Sequence, residues 1–179
     1  ELNGVDSLDI LRGIEGLCAQ NYFSVFDHMI RVNKNDFYFH RRSRRPPTDN
    51  MNALLSFLYV LLTNDICSAL ESVGLDIAAG WLHAIRPGRP SLALDILEEL
   101  RAPLCDRVAL ALVNLKQVQA KDFDSGPDGI KLTKNGMKTV ITAWQSRKKE
   151  EIMHPFFEEK VQIGLIPYLQ AQLLARYLR

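Results

Sequence analysis

Residues 44–65 read "RRPPTDNMNALLSFLYVLLTND". Two arginines and two prolines form a rigid, charged turn, and Thr48 and Asp49 are residues that commonly begin a helix. The residues that follow are apolar around most of a helix that is predicted over residues 49–73, and Gly74 is typical of a helix end. A helix that is apolar on almost every side is predicted to lie at the centre of the core. The charged turn lies at the start of this helix, so the next question is which other segments of the chain lie near it.

Length and composition indicate one domain with a sizeable core, since the chain has 179 residues, of which 47% are hydrophobic. The net charge is +1, so a nucleic-acid partner would have to be bound by local basic clusters. The longest mostly apolar run, residues 54–62, is about half of a membrane span, and no signal peptide is present, which predicts no membrane association. The sequence begins at Glu1, without a methionine, which predicts a piece of a longer protein.

The cysteines are three in number, far apart in the sequence and set in apolar helical patterns. This usage predicts buried thiols in a reducing, cytoplasmic compartment, with no disulfide framework and no CxxC metal site. The three are Cys18, Cys67 and Cys105.

Most of the remaining sequence has helical periodicity, which predicts a mainly α, compact helical domain over residues 1–179. Further helices are predicted over about 5–32, 77–82, 92–100, 137–151 and 156–178, and Pro103 is predicted to interrupt a stretch that continues to Gln119. Ser91 is predicted as a helix cap and Pro167 as a kink. Dense turn residues predict a small hairpin or irregular flap near 122–134. The stripe predicted for the first helix consists of Leu8, Leu11, Ile14, Leu17, Tyr22, Val25, Phe26 and Met29.

Carboxylates and one histidine lie in places where polar side chains are costly. Glu15 stands between two glycines beside the predicted apolar stripe, and His83 follows the apolar segment "DIAAGWL". Asp95, Glu98 and Glu99 follow on one short helix, where spacings of three and four can share a face. Each residue by itself is most simply a solvated or packed side chain. If the three segments converge, one imidazole and two or three carboxylates would bind a hard divalent cation.

The order of the segments resembles the CRISPR-associated integrase, the metal-dependent nuclease of spacer acquisition. The resemblance rests on "LRGIEG", "RRPPTDNMNALLSFLY", "AAGWLH" and "SLALDILEELRAPLCDR", in collinear order over residues 11–107. It continues more weakly to the end, and the tail "HPFFEEKVQIGLIP" resembles members that accompany compact type I systems. The matched part corresponds to the catalytic C-terminal domain of that family. Members normally carry an additional N-terminal β-rich domain for dimerisation, which is absent from this chain.

The resemblance implies an active site in this chain. Its metal ligands would be Glu15, His83 and Glu98, holding Mg²⁺ or Mn²⁺. Asp95 would be a further catalytic residue that orients His83 or binds a metal-bound water. Helical spacing alone does not decide between Glu98 and Glu99, and the resemblance selects Glu98.

Glu99 is then expected to be solvated or paired with an arginine, with Arg101 and Arg107 as the candidates.

The resemblance also implies that the charged turn and the central helix form a wall of the active site. Arginine guanidinium groups suit phosphate, while the simpler alternative is a solvated basic loop. Asn52 and Tyr59 are expected either to line the site and position DNA or to pack in the core. The turn arginines are Arg41, Arg42, Arg44 and Arg45, and basic residues that would extend a DNA track are Lys131, Lys134, Lys138, Arg147, Lys148 and Lys149.

The activity implied by the resemblance is metal-dependent DNA cleavage and integration. The 3′-hydroxyl of a protospacer end would attack phosphodiesters at the edges of a CRISPR repeat. The implied partners are double-stranded DNA, a small ferredoxin-fold adaptation subunit and, in the full-length protein, a second copy of the chain. Two other classes stay open: a non-catalytic helical module that binds protein or nucleic acid, and a helical metallophosphohydrolase that acts on nucleotides.

Overall fold

The computed structural model describes residues 7–179, and a 23-residue helix, Asn50–Ser72, lies at its centre. Asp49 caps this helix, since its carboxylate accepts the backbone N–H of Asn52 at 2.7 Å. Gly74 ends it with a positive φ of 79°. The predicted central helix is therefore confirmed. Its buried residues face inward on nearly all sides: Met51, Asn52, Ala53, Leu54, Leu55, Leu58, Tyr59, Leu62, Ile66, Ala69 and Leu70.

The remaining helices surround the central one. They are α1 (Leu8–Phe26), α3 (Ser91–Leu100), α4 (Arg107–Asn114), α5 (Lys134–Lys148) and α6 (Ile166–Tyr177), with Asn50–Ser72 as α2. A π-helical segment, Arg101–Asp106, joins α3 to α4, and short 3₁₀ turns lie at Asp27–Met29, Ala120–Asp122 and Ile163–Leu165. Because α2 contacts α3, α4, α6 and the π-helical segment, the predicted mainly α, compact domain is confirmed.

By length and composition alone, α2 is also apolar enough to cross a membrane. Half of its most apolar window is buried inside the protein, which is the usual situation of a core helix.

The predicted hairpin is present. Strands β1 (Phe123–Gly126) and β2 (Gly129–Leu132) pair antiparallel, with Phe123 opposite Leu132. Its turn lies against the charged turn of the opening stretch, since Ile130 N–H donates to the carbonyl of Pro47 at 3.0 Å. A Cβ on Gly129 would come within 2.5 Å of Pro46, and its φ of 87° also favours glycine. The hairpin therefore holds the charged turn in place.

A second hairpin was not predicted. Strands β3 (Glu151–Met153) and β4 (Lys160–Gln162) pair across residues where a helix over 156–178 was expected. The buried His154 closes the connection, because its Nδ1 accepts the backbone N–H groups of Phe156 and Phe157. Pro167 consequently lies in the first turn of α6 and produces no kink there, since a first-turn proline has no helical hydrogen bond to lose.

The helix predicted over 77–82 is wrong, because those residues form turns and bends. The carbonyl of Ile77 accepts the backbone N–H of Leu92 at 2.9 Å, which draws the segment onto the start of α3. Ser91 does not cap α3 as predicted: Pro90 occupies the cap position, and the buried Ser91 hydroxyl donates to the carbonyl of Ala84. These contacts shape the loop that carries His83.

The first helix is less buried than its apolar pattern predicted. Only Phe26 within α1 is buried, while Leu8, Leu17 and Val25 are each more than half exposed. Residues 5 and 6 of the predicted helix lie outside the described residues. The prediction of buried cysteines holds for Cys105 and fails for Cys18, which is exposed, while Cys67 is half-buried. All three thiols are free.

Candidate functional site

The imidazole of His83 is fixed by Asp95 on α3. Asp95 Oδ1 contacts His83 Nδ1 at 2.7 Å and also accepts the backbone N–H of His83 at 2.8 Å. Its other oxygen accepts the backbone N–H groups of Trp81 and Leu82 at 2.7 and 3.1 Å. Four hydrogen bonds use the acceptor capacity of this carboxylate and set the ring orientation. With Nδ1 bound to Asp95, the Nε2 atom of His83 is the ring nitrogen left for a ligand.

An arginine links the His83 loop to the helix that carries Glu15. Arg12 Nε donates to the carbonyl of Leu82 at 2.8 Å, and its Nη1 pairs with Asp9 at 2.9 Å. Arg12 precedes Glu15 by three residues on α1, so it lies on the same side of the helix. The residue before His83 is thereby tied to α1. This link was not predicted, since no local pattern joins positions 70 residues apart.

Glu15 is half-buried and lies beside an open surface. A Cβ added at Gly13 or Gly16 would meet nothing within 4 Å. The glycines on either side therefore leave room for an approaching molecule, as the sequence predicted.

Glu98 lies between these two segments and Arg101. Burial raises the pKa of its carboxyl, and the negative charge of Glu15 raises that pKa further. The charges of Arg101, His83 and Arg44 act in the opposite direction. The charges that act on Glu98 therefore come from α1, the His83 loop and the charged turn as well as from α3's own end.

The predicted metal ligands do not lie close enough together to form a metal-binding cluster. Among residues 7–179 no three His, Cys, Asp or Glu side chains lie close enough together to hold a metal ion. Glu98 is instead paired with Arg101, from Nη2 to Oε2 at 2.6 Å. The donor types still suit a hard divalent cation, because such ions take carboxylate oxygens together with an imidazole nitrogen. Glu15, His83 and Glu98 therefore stay a prediction as metal ligands, with Asp95 as their positioning neighbour.

Glu99 lies away from this site. Its side chain is exposed and accepts a hydrogen bond from Gln170 on α6. Of the two alternatives expected for Glu99, the solvated side chain is the one observed, and Arg101 bonds Glu98 instead, three residues before it on the helix.

The charged turn divides into one internal and three exposed arginines. Arg42 donates to Ser43 O at 2.6 Å, to Asn52 Oδ1 at 2.7 Å and to Ser56 Oγ at 3.0 Å. Burial lowers the pKa of its guanidinium. Arg42 is thus engaged within the protein, and its contact with phosphate stays a prediction. Three guanidinium groups stay available on the surface, those of Arg41, Arg44 and Arg45.

Asn52 serves as the internal anchor of the charged turn. Its Oδ1 also accepts the backbone N–H of Ser43, and its Nδ2 donates to Arg41 O and to Asp49 Oδ2. The side chain is fully buried, so core packing is the correct alternative and direct DNA contact is not. The rigidity of the charged turn therefore comes from hydrogen bonds to the first turn of α2.

Tyr59 is likewise a core residue and belongs to a buried polar network that was not predicted. Its hydroxyl donates to Asp106 Oδ1 at 2.7 Å, and the hydroxyl of Tyr22 donates to Oδ2 at 2.9 Å. The guanidinium groups of Arg42 and Arg101 lie 5.2 and 5.6 Å from the Tyr59 ring centre. Burial and the neighbouring Asp106 raise the pKa of Tyr59, which keeps the phenol protonated as a donor. The network connects the charged turn to Arg101 and so to Glu98.

The proposed extension of the basic surface is partly used within the protein. Lys148 pairs with Asp65 at 3.1 Å, Arg147 pairs with Glu150, and Lys131 pairs with Asp128 at 3.1 Å. Four of these basic residues are exposed, namely Lys131, Lys134, Lys138 and Lys149.

Fold and site together define a mainly helical protein with a histidine–carboxylate site beneath a basic turn. Residues 1–146 match the family described as CRISPR associated protein Cas1. The CRISPR-associated endonuclease Cas1 2 of Rhodospirillum rubrum is 59% identical over 175 residues, which are 97% of this chain and 51% of that protein. The Leptospira interrogans endonuclease Cas1 is 50% identical over 179 residues, covering 99% of this chain and 70% of that protein. The chain belongs to the Cas1 family.

Solved structures support the same assignment. A Cas1 protein from Thermotoga maritima superposes on 98% of this chain and 53% of its own with a TM-score of 0.87 and 28% identity. A casposase bound to its integration product matches 99% of this chain and 49% of its own, with a TM-score of 0.87 and 25% identity. A Cas6-RT-Cas1–Cas2 complex matches 99% of this chain and 19% of its own, with a TM-score of 0.84 and 26% identity. The chain spans about half the length of several relatives it matches.

Proposed function

We propose that this chain is the catalytic part of a metal-dependent DNA endonuclease and integrase of CRISPR adaptation. The observation that carries the proposal is the fixed His83 ring, whose Nδ1 is held by Asp95 at 2.7 Å and whose Nε2 is left for a ligand, together with the largely buried carboxylate of Glu98 on the same helix as Asp95. Family membership supports the same activity, since the most similar relatives are named endonucleases and the casposase was solved with an integration product.

In this proposal, Glu15, His83 Nε2 and Glu98 hold Mg²⁺ or Mn²⁺. The ion, when bound, polarises a phosphate and lowers the pKa of the attacking hydroxyl. Asp95 keeps the His83 ring turned toward the ion, because its carboxylate is already committed to Nδ1 and three backbone N–H groups. The 3′-hydroxyl oxygen of one DNA strand forms a new bond to phosphorus, and the phosphorus–oxygen bond within the target strand breaks.

The exposed arginines of the charged turn would contact the DNA phosphates. Arg41, Arg44 and Arg45 project from a turn that Asn52 and the β1–β2 hairpin hold rigid. A prearranged set of guanidinium groups loses little conformational entropy on binding phosphate. The surface beside Glu15 is open at Gly13 and Gly16, which leaves room for a DNA strand to approach.

The partners proposed for the full-length protein are protospacer and repeat DNA, a small ferredoxin-fold subunit of the Cas2 kind, and a second copy of the chain. The structural relative solved in a complex with Cas2 supports the second of these. A reducing cytoplasm is the proposed compartment, in keeping with three free cysteines.

The proposal is tested by strand transfer and cleavage on branched DNA with Mn²⁺ or Mg²⁺. We expect reaction products that disappear with a chelator and fall at least about 100-fold in His83→Ala, because even outer partners of a metal ligand are worth 10- to 100-fold. The matched control is His28→Ala, since His28 is an exposed histidine on the short turn after α1. Phosphate release from free nucleotides without any reaction on DNA would instead identify a metallophosphohydrolase. DNA or protein binding with no metal-dependent reaction would identify an interaction module.

The role of the charged turn is tested by the double change Arg44→Ala and Arg45→Ala. DNA binding should weaken, and the slope of log K against log salt should become shallower by about 1 to 2, because about 0.9 counterions are released per phosphate contact. The control is Arg176→Ala with Arg179→Ala, which removes the same charge from the exposed end of the chain. An unchanged slope in the turn variant would show that these two arginines do not contact phosphate.

A further inference from the structure

Arg101 forms an ion pair with Glu98, the carboxylate that is proposed to bind the metal. Its Nη1 lies 3.1 Å from Glu98 Oε1, and its Nη2 lies 2.6 Å from Oε2. Both side chains are largely buried, with 12% of Arg101 and 20% of Glu98 exposed. The guanidinium also lies 5.6 Å from the Tyr59 ring centre and 5.9 Å from that of Phe23. A two-pronged pair of this kind is among the strongest interactions of a carboxylate.

We propose that Arg101 is an internal counter-ion that competes with the metal for Glu98. The guanidinium bonds both oxygens of Glu98, so Glu98 would have to give up one or both of these hydrogen bonds to bind an ion. This inference rests on the proposed function, because it takes Glu98 as a metal ligand. It goes further by assigning to Arg101 a role that lowers metal affinity.

Electrostatics gives the reason for such a counter-ion. Glu98 is partly buried close to Glu15, and two negative charges in such a place repel each other strongly unless a cation lies between or beside them. A divalent ion would supply that charge, and Arg101 supplies it when no ion is bound. Both oxygens of Glu98 face the guanidinium.

The opposite role for Arg101 is that of a support which aims Glu98 at the metal. A support and a competitor affect metal affinity with opposite sign. Removing a support leaves Glu98 poorly oriented and weakens metal binding, as loss of outer partners generally does. Removing a competitor leaves Glu98 without a counter-ion and strengthens metal binding.

The test is calorimetric titration of Mn²⁺ into the 179-residue protein at pH 8, without DNA. Arg101→Met keeps an apolar side chain of about the length of arginine's aliphatic part but removes the guanidinium, and with it the charge and both hydrogen bonds. We expect Mn²⁺ to bind about tenfold more tightly, equivalent to about 1.4 kcal/mol. Arg101→Lys keeps the positive charge but loses the two-pronged hydrogen bonding to Glu98. Its affinity for Mn²⁺ should therefore lie between those of the wild type and the Met variant. Arg107→Met, at an exposed position on α4, should leave the affinity unchanged.

The outcomes separate the inference from the proposed function. Equal or weaker Mn²⁺ binding by Arg101→Met, with binding intact in the wild type, overturns the inference and leaves the proposed function in place. Absence of Mn²⁺ binding from the wild type and from every Arg101 variant overturns both. If thermal unfolding shows that Arg101→Met does not fold, Arg101→Lys decides alone: tighter binding than the wild type supports competition, and equal or weaker binding contradicts it.

Discussion

Replacing Glu98 with Gln should abolish Mn²⁺ binding, whereas replacing Glu99 with Gln should leave it largely intact. Glu98 is partly buried near Glu15 and His83, and the amide would keep the shape of the side chain while removing its charge. Hard divalent cations require anionic oxygen, so the loss should be on the order of 100-fold or more in affinity. Glu99 is exposed and bonded to Gln170, on a face of α3 that turns away from the site.

The measurement is calorimetric titration of both variants beside His83→Ala, which should also lose the ion. Since Glu98→Gln and Glu99→Gln change the same chemical group at adjacent positions, each is the control for the other. Loss of the metal in the Glu99 variant with retention in the Glu98 variant would place the ligand one residue further along α3. The pairing of Asp95 with its neighbouring ligand would then have to be reassigned.

The central part of the fold was predictable because its determinants are local. An almost uniformly apolar stretch with Asp49 before it and Gly74 after it specifies a buried helix with defined ends. The β3–β4 hairpin was not predictable in the same way, because a stretch such as "EEKVQIGL" also fits helical spacing. What fixes the hairpin is a buried imidazole, His154, that accepts two backbone N–H groups, and no periodicity reveals that contact.

The exposed apolar positions of α1 show a second limit of periodicity. A stripe of apolar side chains predicts which face of a helix can be buried, but whether a neighbour covers it depends on tertiary packing. Within residues 7–179, Leu8, Leu17 and Val25 stay largely exposed although they belong to the predicted stripe.

The candidate site was predictable as a set of segments and not as a set of contacts. Sequence order assigned Glu15, His83 and Glu98 to three separate segments, and the charges of Glu15 and His83 act on Glu98 in the structure, while their role as metal ligands stays a prediction. Arg101 was one candidate partner for Glu99, which was expected to be either solvated or paired, yet helical spacing favours residues three or four apart, which selects Glu98. The bond from Arg12 to the Leu82 carbonyl crosses 70 positions and leaves no local trace.

The most consequential residue that sequence reasoning passed over is Asp106. It is 1% exposed and accepts hydrogen bonds from two tyrosines that lie 84 and 47 positions earlier. An aspartate inside the largely apolar run "PLCDRVALALV", whose other charged residue is Arg107, was the available signal, because a buried carboxylate requires partners. Burial raises the pKa of Asp106, while the two phenols and the two nearby arginines oppose that rise. The buried Asp106 carboxylate is therefore stabilised by the two phenols and the two arginines, and the two phenols need Asp106 as their hydrogen-bond acceptor.

Replacing Asp106 with Ala should lower the free energy of unfolding by about 3 kcal/mol or more. The change leaves the buried phenol of Tyr59 and the part-buried phenol of Tyr22 without their acceptor, at about 1–3 kcal/mol for each unpaired group. Urea unfolding measures the loss, and Asp124→Ala on β1 is the control, since an exposed change of this kind stays within about 0.5 kcal/mol.

A double-mutant comparison identifies the cause of that loss. With Tyr22→Phe and Tyr59→Phe already present, no phenol is left to be orphaned, and replacing Asp106 should cost at most about half as much. An equal cost in both backgrounds would mean that the cavity, and not the hydrogen bonds, accounts for the loss. Because Tyr59 also lies against the guanidinium groups of Arg42 and Arg101, a loosened network should reach both the charged turn and Glu98. The buried network would then hold the charged turn and Glu98 in position. Asp106 should therefore be required for the site even though it is buried and does not contact the substrate.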